Sequence, residues 1–228
     1  MKRIILILFL IIFLVTCSNK IVQLPETYNS NITEITDVSA VYLFYDETKK
    51  DSVELNRKNL IGTTNWLFNV DKRLTLKQVI PSIVFLQNKK RNAELHKNES
   101  AKNYFTCSNP EIQNLAFIEF TDVVYHEESL EESISKNYNF IFSENSITIN
   151  FNLNNEITIL NPNTNQIILK TEADYLFIKI EQVITLENII YLSYNKNLSF
   201  QDYISYKSLL LELELDNVII DNNEFIYN

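Results

Sequence analysis

The segments DKRLTLKQVI, residues 71–80, and NKNLSFQDYI, residues 195–204, follow a single pattern. In both, Asp or Asn is followed by Lys, any residue, Leu, and then Ser or Thr. A large apolar residue, two polar residues and two apolar residues complete the pattern. Agreement over so many consecutive positions is rarely chance, so we interpret the segments as two copies of one structural unit.

Each copy lies between a predicted strand and a predicted helix. Apolar runs of strand type precede the copies at residues 66–70 and 190–194. Within and after each copy, apolar residues recur at spacings of three and four, which is typical of a helix with one buried face. We therefore predict one helix from residue 75 to residue 90 and a second helix that begins at residue 199.

Helix-capping residues occur at the same place in the two copies. Thr75 and Ser199 occupy the predicted N-cap positions, where a hydroxyl accepts a hydrogen bond from an otherwise unpaired amide. Gln78 and Asp202 follow three residues later, where Gln completes a capping box and Asp suits the positive end of the helix dipole. Pro81 predicts either a later start or a bend in the first helix.

The flanking sequences extend the similarity to a larger unit, which we predict to be an α+β module of β-β-β-α-β type. Residues 41–45 and 175–180 are the predicted opening strands of the two modules. Short β runs separated by Asn-rich turns predict an antiparallel β meander between the modules. The predicted order is a first α+β module at 38–126, an acidic linker and β meander at 127–170, and a second α+β module at 171–228.

The N-terminus resembles the signal peptide of a bacterial lipoprotein. Two basic residues precede an apolar run at residues 4–15, and the following LVTC, which ends at Cys17, resembles a lipobox. The resemblance implies that residues 1–16 are removed and that Cys17 carries acyl chains such as palmitate. Residues 17–37 are then a lipidated tether. An uncleaved anchor is the alternative, although twelve apolar residues are short for a bilayer core, which needs about 20.

The location and the charge of the chain limit its partners. Ser18 after the cysteine resembles the residue of lipoproteins sorted to the outer membrane of a Gram-negative-type bacterium, which places the domain in the periplasm. The chain has 20 Lys and Arg against 29 Asp and Glu, a formal net charge of −9. This charge disfavours nucleic acid, because its phosphates repel carboxylates. We expect membrane contact through the lipid anchor, and a protein partner or peptidoglycan as ligand.

The composition excludes several kinds of site. Gly62 is the only glycine, and phosphate-cradling loops need several, so a P-loop and a dinucleotide fingerprint are both excluded. If Cys17 is acylated, Cys107 has no partner for a disulfide. The acidic residues after His126 match the spacing of no established metal site. We therefore predict no catalytic residues, no metal and no cofactor.

The candidate functional positions are the first two residues of each copy. Asp71, Lys72, Asn195 and Lys196 follow predicted strands, and strand ends are where functional side chains often project. Asn195 cannot act as an acid or a base, whereas a turn-forming or helix-entry role fits both Asp71 and Asn195. We expect the structural role to dominate.

The order of strand, Asp-Lys, short polar step, amphipathic helix and strand resembles the periplasmic domain of the ExbD/TolR family. The resemblance covers residues 68–86, and residues 192–211 with 218–220. Members of that family are single-span inner-membrane proteins that work beside a proton channel, and some contact peptidoglycan or an energised partner. The resemblance implies a binding module, used twice, in an accessory of energised envelope transport. Since the apolar N-terminal run contains no Asp, we do not expect this chain to couple protons.

Two functions from different classes follow from the sequence. The first is a non-catalytic cell-envelope lipoprotein that binds a protein partner or the cell wall. The second is an envelope hydrolase or ligand-binding protein with a site between the modules. In that case a deep cleft should gather at least two of the candidate side chains Asp71, Glu119, Asp122, His126 and Asp202.

Overall fold

The computed structural model describes residues 20–30, 32–93, 98–136, 142–184, 188–212 and 218–228. The predicted signal peptide and Cys17 lie outside the described residues. Over the described ranges the chain has a mixed α/β architecture with four α-helices and eleven strands in two mixed sheets. No helix of these ranges is long and apolar enough to cross a membrane.

Groups of one to three strands alternate with single α-helices along the chain. The helices are α1 (Leu76–Arg91), α2 (Leu130–Lys136), α3 (Leu176–Glu181) and α4 (Phe200–Leu211). The strands are β1 (Val38–Tyr45), β2 (Val53–Asn56), β3 (Asn65–Val70), β4 (Asn103–Asn109), β5 (Asn114–Glu119), β6 (Val124–His126), β7 (Ser146–Phe151), β8 (Glu156–Asn161), β9 (Gln166–Glu172), β10 (Ile189–Asn195) and β11 (Ile219–Tyr227).

The capping predictions are confirmed at the starts of α1 and α4. The Thr75 amide donates to Gln78 Oε1 at 2.7 Å. The Asp202 amide donates to Ser199 Oγ at 3.1 Å, and the Ser199 amide donates to the Asp202 carboxylate at 3.2 Å. Helix α1 begins at Leu76 and continues through Pro81, so the proline does not delay the start of the helix.

Both sheets contain the same four-strand arrangement. The first sheet has the order β2-β1-β3-β4-β5 and the second has the order β6-β11-β10-β7-β8-β9. In each, a central parallel pair has one antiparallel neighbour and one further parallel neighbour: β2-β1-β3-β4 and β8-β7-β10-β11. The registers also match, because Val38 pairs with Asn65 as Ser146 pairs with Ile189.

The second sheet includes strands that precede the predicted second module at 171–228. The meander β7-β8-β9 is antiparallel as predicted, but β7 pairs with β10, so the meander belongs to the second sheet. The predicted opening strand at 175–180 is wrong, because Leu176–Glu181 forms α3. Leu176 and Ile180 are buried while Ile178 is exposed, and this spacing of four fits a helix that packs one face on the core.

One hydrophobic core joins the two halves. It includes buried side chains from β1, β3, α1 and β4 and others from β7, β10 and α4. Phe105 of β4 lies at the junction. Its ring stacks on the Phe120 ring, with the ring centroids 3.8 Å apart, and makes an edge-to-face contact with the Phe200 ring of α4, with the centroids 5.2 Å apart. Because aromatic burial contributes strongly to core energetics, the halves are expected to unfold together.

The described part of the predicted tether packs on the folded domain. The Thr27 amide donates to the Ser108 carbonyl at 3.0 Å, and the Ser108 amide donates to the Pro25 carbonyl at 2.8 Å, which places the segment beside β4. Farther along, the Phe117 amide of β5 donates to the Ile32 carbonyl at 3.0 Å. Residues 20–30 and 32–37 have no long secondary structure, but they differ from the expected free tether because they are fixed by these contacts.

Candidate functional site

The two repeated segments pair with each other through their backbones. Thr75 and Ser199 form an antiparallel β-bridge, and four backbone hydrogen bonds flank it. Their donors are the first two amides of α1 and of α4, which in most helices have no backbone partner. The bonds run from Leu76 N to Leu198 O (3.0 Å), Phe200 N to Leu74 O (2.6 Å), Lys77 N to Lys196 O (2.8 Å) and Gln201 N to Lys72 O (3.2 Å).

Asp71 is fully buried and accepts hydrogen bonds from two neighbouring segments. The Arg73 guanidinium binds both of its carboxylate oxygens at 2.8 Å, and the amides of Arg73 and Gln23 donate to it at 3.1 and 3.2 Å. Burial alone would raise the pKa of Asp71, but the hydrogen bonds from Arg73 and Gln23 outweigh it and leave the pKa lowered. Asp71 is therefore an ionised structural group that fixes the N-terminal segment to the start of α1.

The other three candidate residues also make hydrogen bonds at the strand–helix junctions. Lys72 donates from its amide to the Gln23 carbonyl at 2.8 Å, and Lys196 donates from its amide to the Tyr227 carbonyl at 2.8 Å. The Asn195 side chain accepts from the Asn197 amide at 2.9 Å, which is a turn-forming contact. The structure thus assigns backbone-supporting contacts to all four predicted positions.

A groove runs along α4 beside the N-terminal segment. Two cavities of about 450 and 560 Å³ lie on either side of Tyr28 and Asn29, which line both of them. Phe177 and Tyr206 line the first cavity, and Leu211 lines the second. We call this pair of cavities the α4 groove. Each of the two cavities falls within the range of about 300–1,000 Å³ that is usual for binding pockets.

The α4 groove is acidic. The described residues that line the two cavities include no lysine, arginine or histidine. Two of its acids form ion pairs with lysines that do not line the groove. Lys72 Nζ lies 2.7 Å from the Glu26 carboxylate, and Lys102 Nζ lies 2.9 Å from the Glu119 carboxylate. The groove therefore favours a neutral or cationic ligand. Its carboxylates are Glu26, Asp174 and Asp202 in the first cavity and Glu119 and Glu212 in the second.

The side chains proposed for a catalytic cleft do not share a single cavity. Each of five cavities among the described residues, of about 140 to 560 Å³, is lined by at most one candidate, although Asp202 and Glu119 line the two adjoining cavities of the α4 groove. Asp71 is enclosed by its own partners, and His126 Nε2 lies 2.7 Å from the Asn223 side chain. The candidates are Asp71, Glu119, Asp122, His126 and Asp202.

Within the described ranges, neither a nucleophilic cysteine nor a metal centre is found. Cys107 is fully buried on β4, and burial raises the pKa of its thiol to about 12, so the reactive thiolate is scarce at neutral pH. No group of three or more His, Cys, Asp or Glu side chains is arranged to hold a metal ion in the part of the chain that the structure describes.

A buried polar cluster under α4 has no counterpart in the sequence analysis. Glu224 of β11 is almost fully buried, accepts a hydrogen bond from Tyr203 at 2.7 Å and forms an ion pair with Lys207. The Tyr125 hydroxyl lies 3.0 Å from that of Tyr203. Burial and the Glu224 charge raise the pKa of Tyr203 well above its usual value, so the phenol stays protonated. A single acid within the run NNEFIY gives no sequence signal of such a cluster.

Comparisons with known proteins identify no relative. No protein-family model matches the chain. A search of curated proteins and a search of solved structures find no match either.

Proposed function

We propose that this protein is a non-catalytic lipoprotein of the cell envelope that binds a protein partner with a basic segment in the α4 groove. The groove carries the proposal: two adjoining cavities lined by five carboxylates and, among the described lining residues, by no basic side chain. A chain with a net charge of −9 attracts cationic partners and repels anionic ones. Binding by such a surface requires no catalytic residue.

The N-terminal sequence supports the location. A basic start, an apolar run and a lipobox-like LVTC ending at Cys17 suit export, acylation and retention on the outer membrane. The packed N-terminal segment forms one wall of the α4 groove, so the groove lies close to the lipid attachment point along the chain. A partner in the periplasm would thus be held near the membrane.

We further infer that the two halves are copies of one α+β module of the ExbD/TolR type. The repeated segments, the matching strand order β2-β1-β3-β4 and β8-β7-β10-β11, and the matching registers support this inference. The copies have diverged, because β9 and α3 are inserted into the second one. On this basis the protein is an accessory of energised envelope transport, in which one partner is the transport complex.

Reversing the charge of the groove tests the proposal. The double variant Asp174→Lys/Glu212→Lys changes one exposed carboxylate in each cavity, which should leave the fold intact. We expect recovery of the partner to fall about tenfold or more, because like charges then oppose each other in the interface. The measurement is in-cell cross-linking of the full-length lipidated protein, followed by quantitative identification of the proteins and glycans bound to it.

The matched control is Glu111→Lys, a charge reversal at an exposed residue that lines neither cavity of the groove. It should retain the partner. Support requires a partner that is cross-linked to groove residues through a lysine- or arginine-rich peptide. Equal recovery with the double variant and the control would contradict the groove, and recovery of peptidoglycan fragments in place of a protein would contradict the class of partner.

A further inference from the structure

A smaller cavity adjoins the α4 groove near the C-terminal end of α4. It has a volume of about 220 Å³ and is lined mainly by residues of α4 and β11, so we call it the α4–β11 cavity. Glu119 and Leu211 line both this cavity and the second cavity of the groove. Because the two cavities have these residues in common, one extended ligand in the groove can also reach the α4–β11 cavity.

The lining of the α4–β11 cavity is largely apolar. Leu211 is 58 % exposed, so a large aliphatic side chain faces solvent beside the cavity. The charged side chains Lys207 and Glu224 also line the cavity, but they form an ion pair with each other. Covering the apolar lining with another apolar group removes both from water, which favours binding. The apolar residues of the lining are Val123, Leu192, Leu210, Leu211 and Ile220.

An irregularity of β11 forms one wall of the cavity. Between Ile220 and Glu224 the strand β11 advances by four residues, whereas its partner β10 advances by two. The extra residues form a bulge, a feature that is often found beside functional sites. Asp221 and Asn222 of this bulge line the cavity. The paired residues of β3 and β4 in the first half follow one another without such a shift, so the bulge distinguishes the second half from the first.

Size and charge indicate what fills the α4–β11 cavity. Its volume lies below the value of about 300 Å³ at which small-molecule pockets usually begin, so it suits one side chain better than a whole ligand. The carboxylates of Glu119 and Asp221 disfavour an anion such as a fatty acid. A large apolar side chain fits the lining, and protein interfaces commonly bury an apolar anchor in such a pocket.

We propose that the α4–β11 cavity binds a large apolar side chain of the same partner segment whose basic residues occupy the α4 groove. This inference rests on the proposed function and makes it more specific, because the partner is then recognised by basic residues and by an apolar anchor beside them. Salt screens the attraction between exposed charges, whereas burial of the anchor does not depend on charge. The two contributions are therefore separable by experiment.

Titration with three kinds of synthetic peptide tests the proposal. The first kind is short and rich in lysine and serine, with a single phenylalanine that takes each position in turn. The second has serine in place of phenylalanine, and the third has glutamate in place of each lysine of the first. We expect the best phenylalanine peptide to bind the full-length protein about tenfold more tightly than the serine peptide, because only it buries an apolar side chain. The glutamate peptides should not bind. NMR chemical-shift titration gives the dissociation constants.

Leu211→Ser and Ile219→Ser are a matched pair of variants. Both residues are exposed and aliphatic, but Leu211 lines the α4–β11 cavity whereas Ile219 lines none of the five cavities. Leu211→Ser should reduce the advantage of the phenylalanine peptide over the serine peptide to about threefold or less, since part of the apolar wall is lost. Ile219→Ser should keep the full advantage. The groove variant Asp174→Lys/Glu212→Lys should weaken both lysine peptides alike and leave their ratio unchanged.

The outcomes distinguish the anchor from the groove. Equal binding of the phenylalanine and serine peptides overturns the anchor and leaves the basic partner of the groove in place. Equal effects of Leu211→Ser and Ile219→Ser on the ratio also overturn the anchor. If the glutamate peptides bind as tightly as the lysine peptides, the proposed function fails together with the inference that rests on it. If no peptide binds, both are likewise overturned.

Discussion

Replacing Glu224 with alanine should destabilise the protein by about 3–5 kcal/mol, because it leaves the Lys207 ammonium without its counter-charge in a largely buried site. The substitution also removes the acceptor of the Tyr203 hydroxyl. The free energy of unfolding in urea at neutral pH measures the effect. Glu224→Gln should cost less, since an amide oxygen still accepts from Tyr203.

The double variant Glu224→Leu/Lys207→Met shows whether the ion pair itself stabilises the protein or whether two buried apolar side chains serve equally well. Replacing a buried pair by apolar side chains of similar volume is often close to neutral, so we expect stability within about 1–2 kcal/mol of the wild type. A double-mutant cycle then gives a large coupling energy between the two side chains. Additive effects of the two single substitutions would show that Lys207 and Glu224 do not interact as the structure has them.

Replacing Asp71 with alanine should cost about 2–3 kcal/mol. The carboxylate accepts hydrogen bonds from the Arg73 side chain and from the amides of Arg73 and Gln23, and bonds to a buried charged group are among the stronger ones. Asn195→Ala, at the matching position of the second copy, is the control and should cost about 1 kcal/mol, because one partly exposed hydrogen bond is lost. Equal losses would contradict the structural role of Asp71.

The effect of Asp71 should depend on pH. Its pKa in the folded protein is lowered from the ordinary value of 3.8, so the unfolded chain binds its proton more readily. The stabilisation is present above the unfolded pKa and is lost as the pH falls through the folded pKa. Urea unfolding of the wild type and of Asp71→Ala should therefore differ most near neutral pH and converge below a pH of about 4. A difference that stays constant at acid pH would contradict an ionised, hydrogen-bonded Asp71.

Local sequence signals predicted the elements that rest on local chemistry. Thr75 and Ser199 were predictable as N-caps because capping depends on residues three positions apart. The antiparallel meander was predictable from alternating β runs and Asn-rich turns. The repeat itself located the two strand–helix junctions, at which the structure places the pairing of the copies.

Long-range packing explains what the sequence did not predict. Residues 175–180 have an apolar pattern that is too short to distinguish a strand from a helix, and only packing of Leu176 and Ile180 selects the helix. The N-terminal segment is polar and irregular, yet its partners Ser108 and Phe117 are far along the chain. Glu224 pairs across the sheet with Leu192, as Phe105 pairs with Phe68 in the first half, so a charge occupies an apolar position of the first half.

In the candidate site, too, the sequence predicted what depends on local signals and did not predict what depends on long-range packing. Asp71, Lys72, Asn195 and Lys196 were predicted from the repeat, and their structural role follows from backbone contacts at the junctions. The sequence named Glu119 and Asp202 as candidates for a cleft between the modules, but it did not predict the α4 groove that they line, because its walls come from the N-terminal segment, α3, α4 and β5. Carboxylates from such distant positions give no local motif.

The most direct test of the structural account is amide hydrogen exchange in the native protein. The four amides that cross between the copies are in the first turns of α1 and α4, where unpaired amides exchange rapidly. We predict protection for all four, and the strongest for Leu76 and Phe200, since their acceptors Leu198 and Leu74 lie in the core that joins the halves. Rapid exchange at these amides would contradict the pairing of the two repeated segments. The four amides are those of Leu76, Lys77, Phe200 and Gln201.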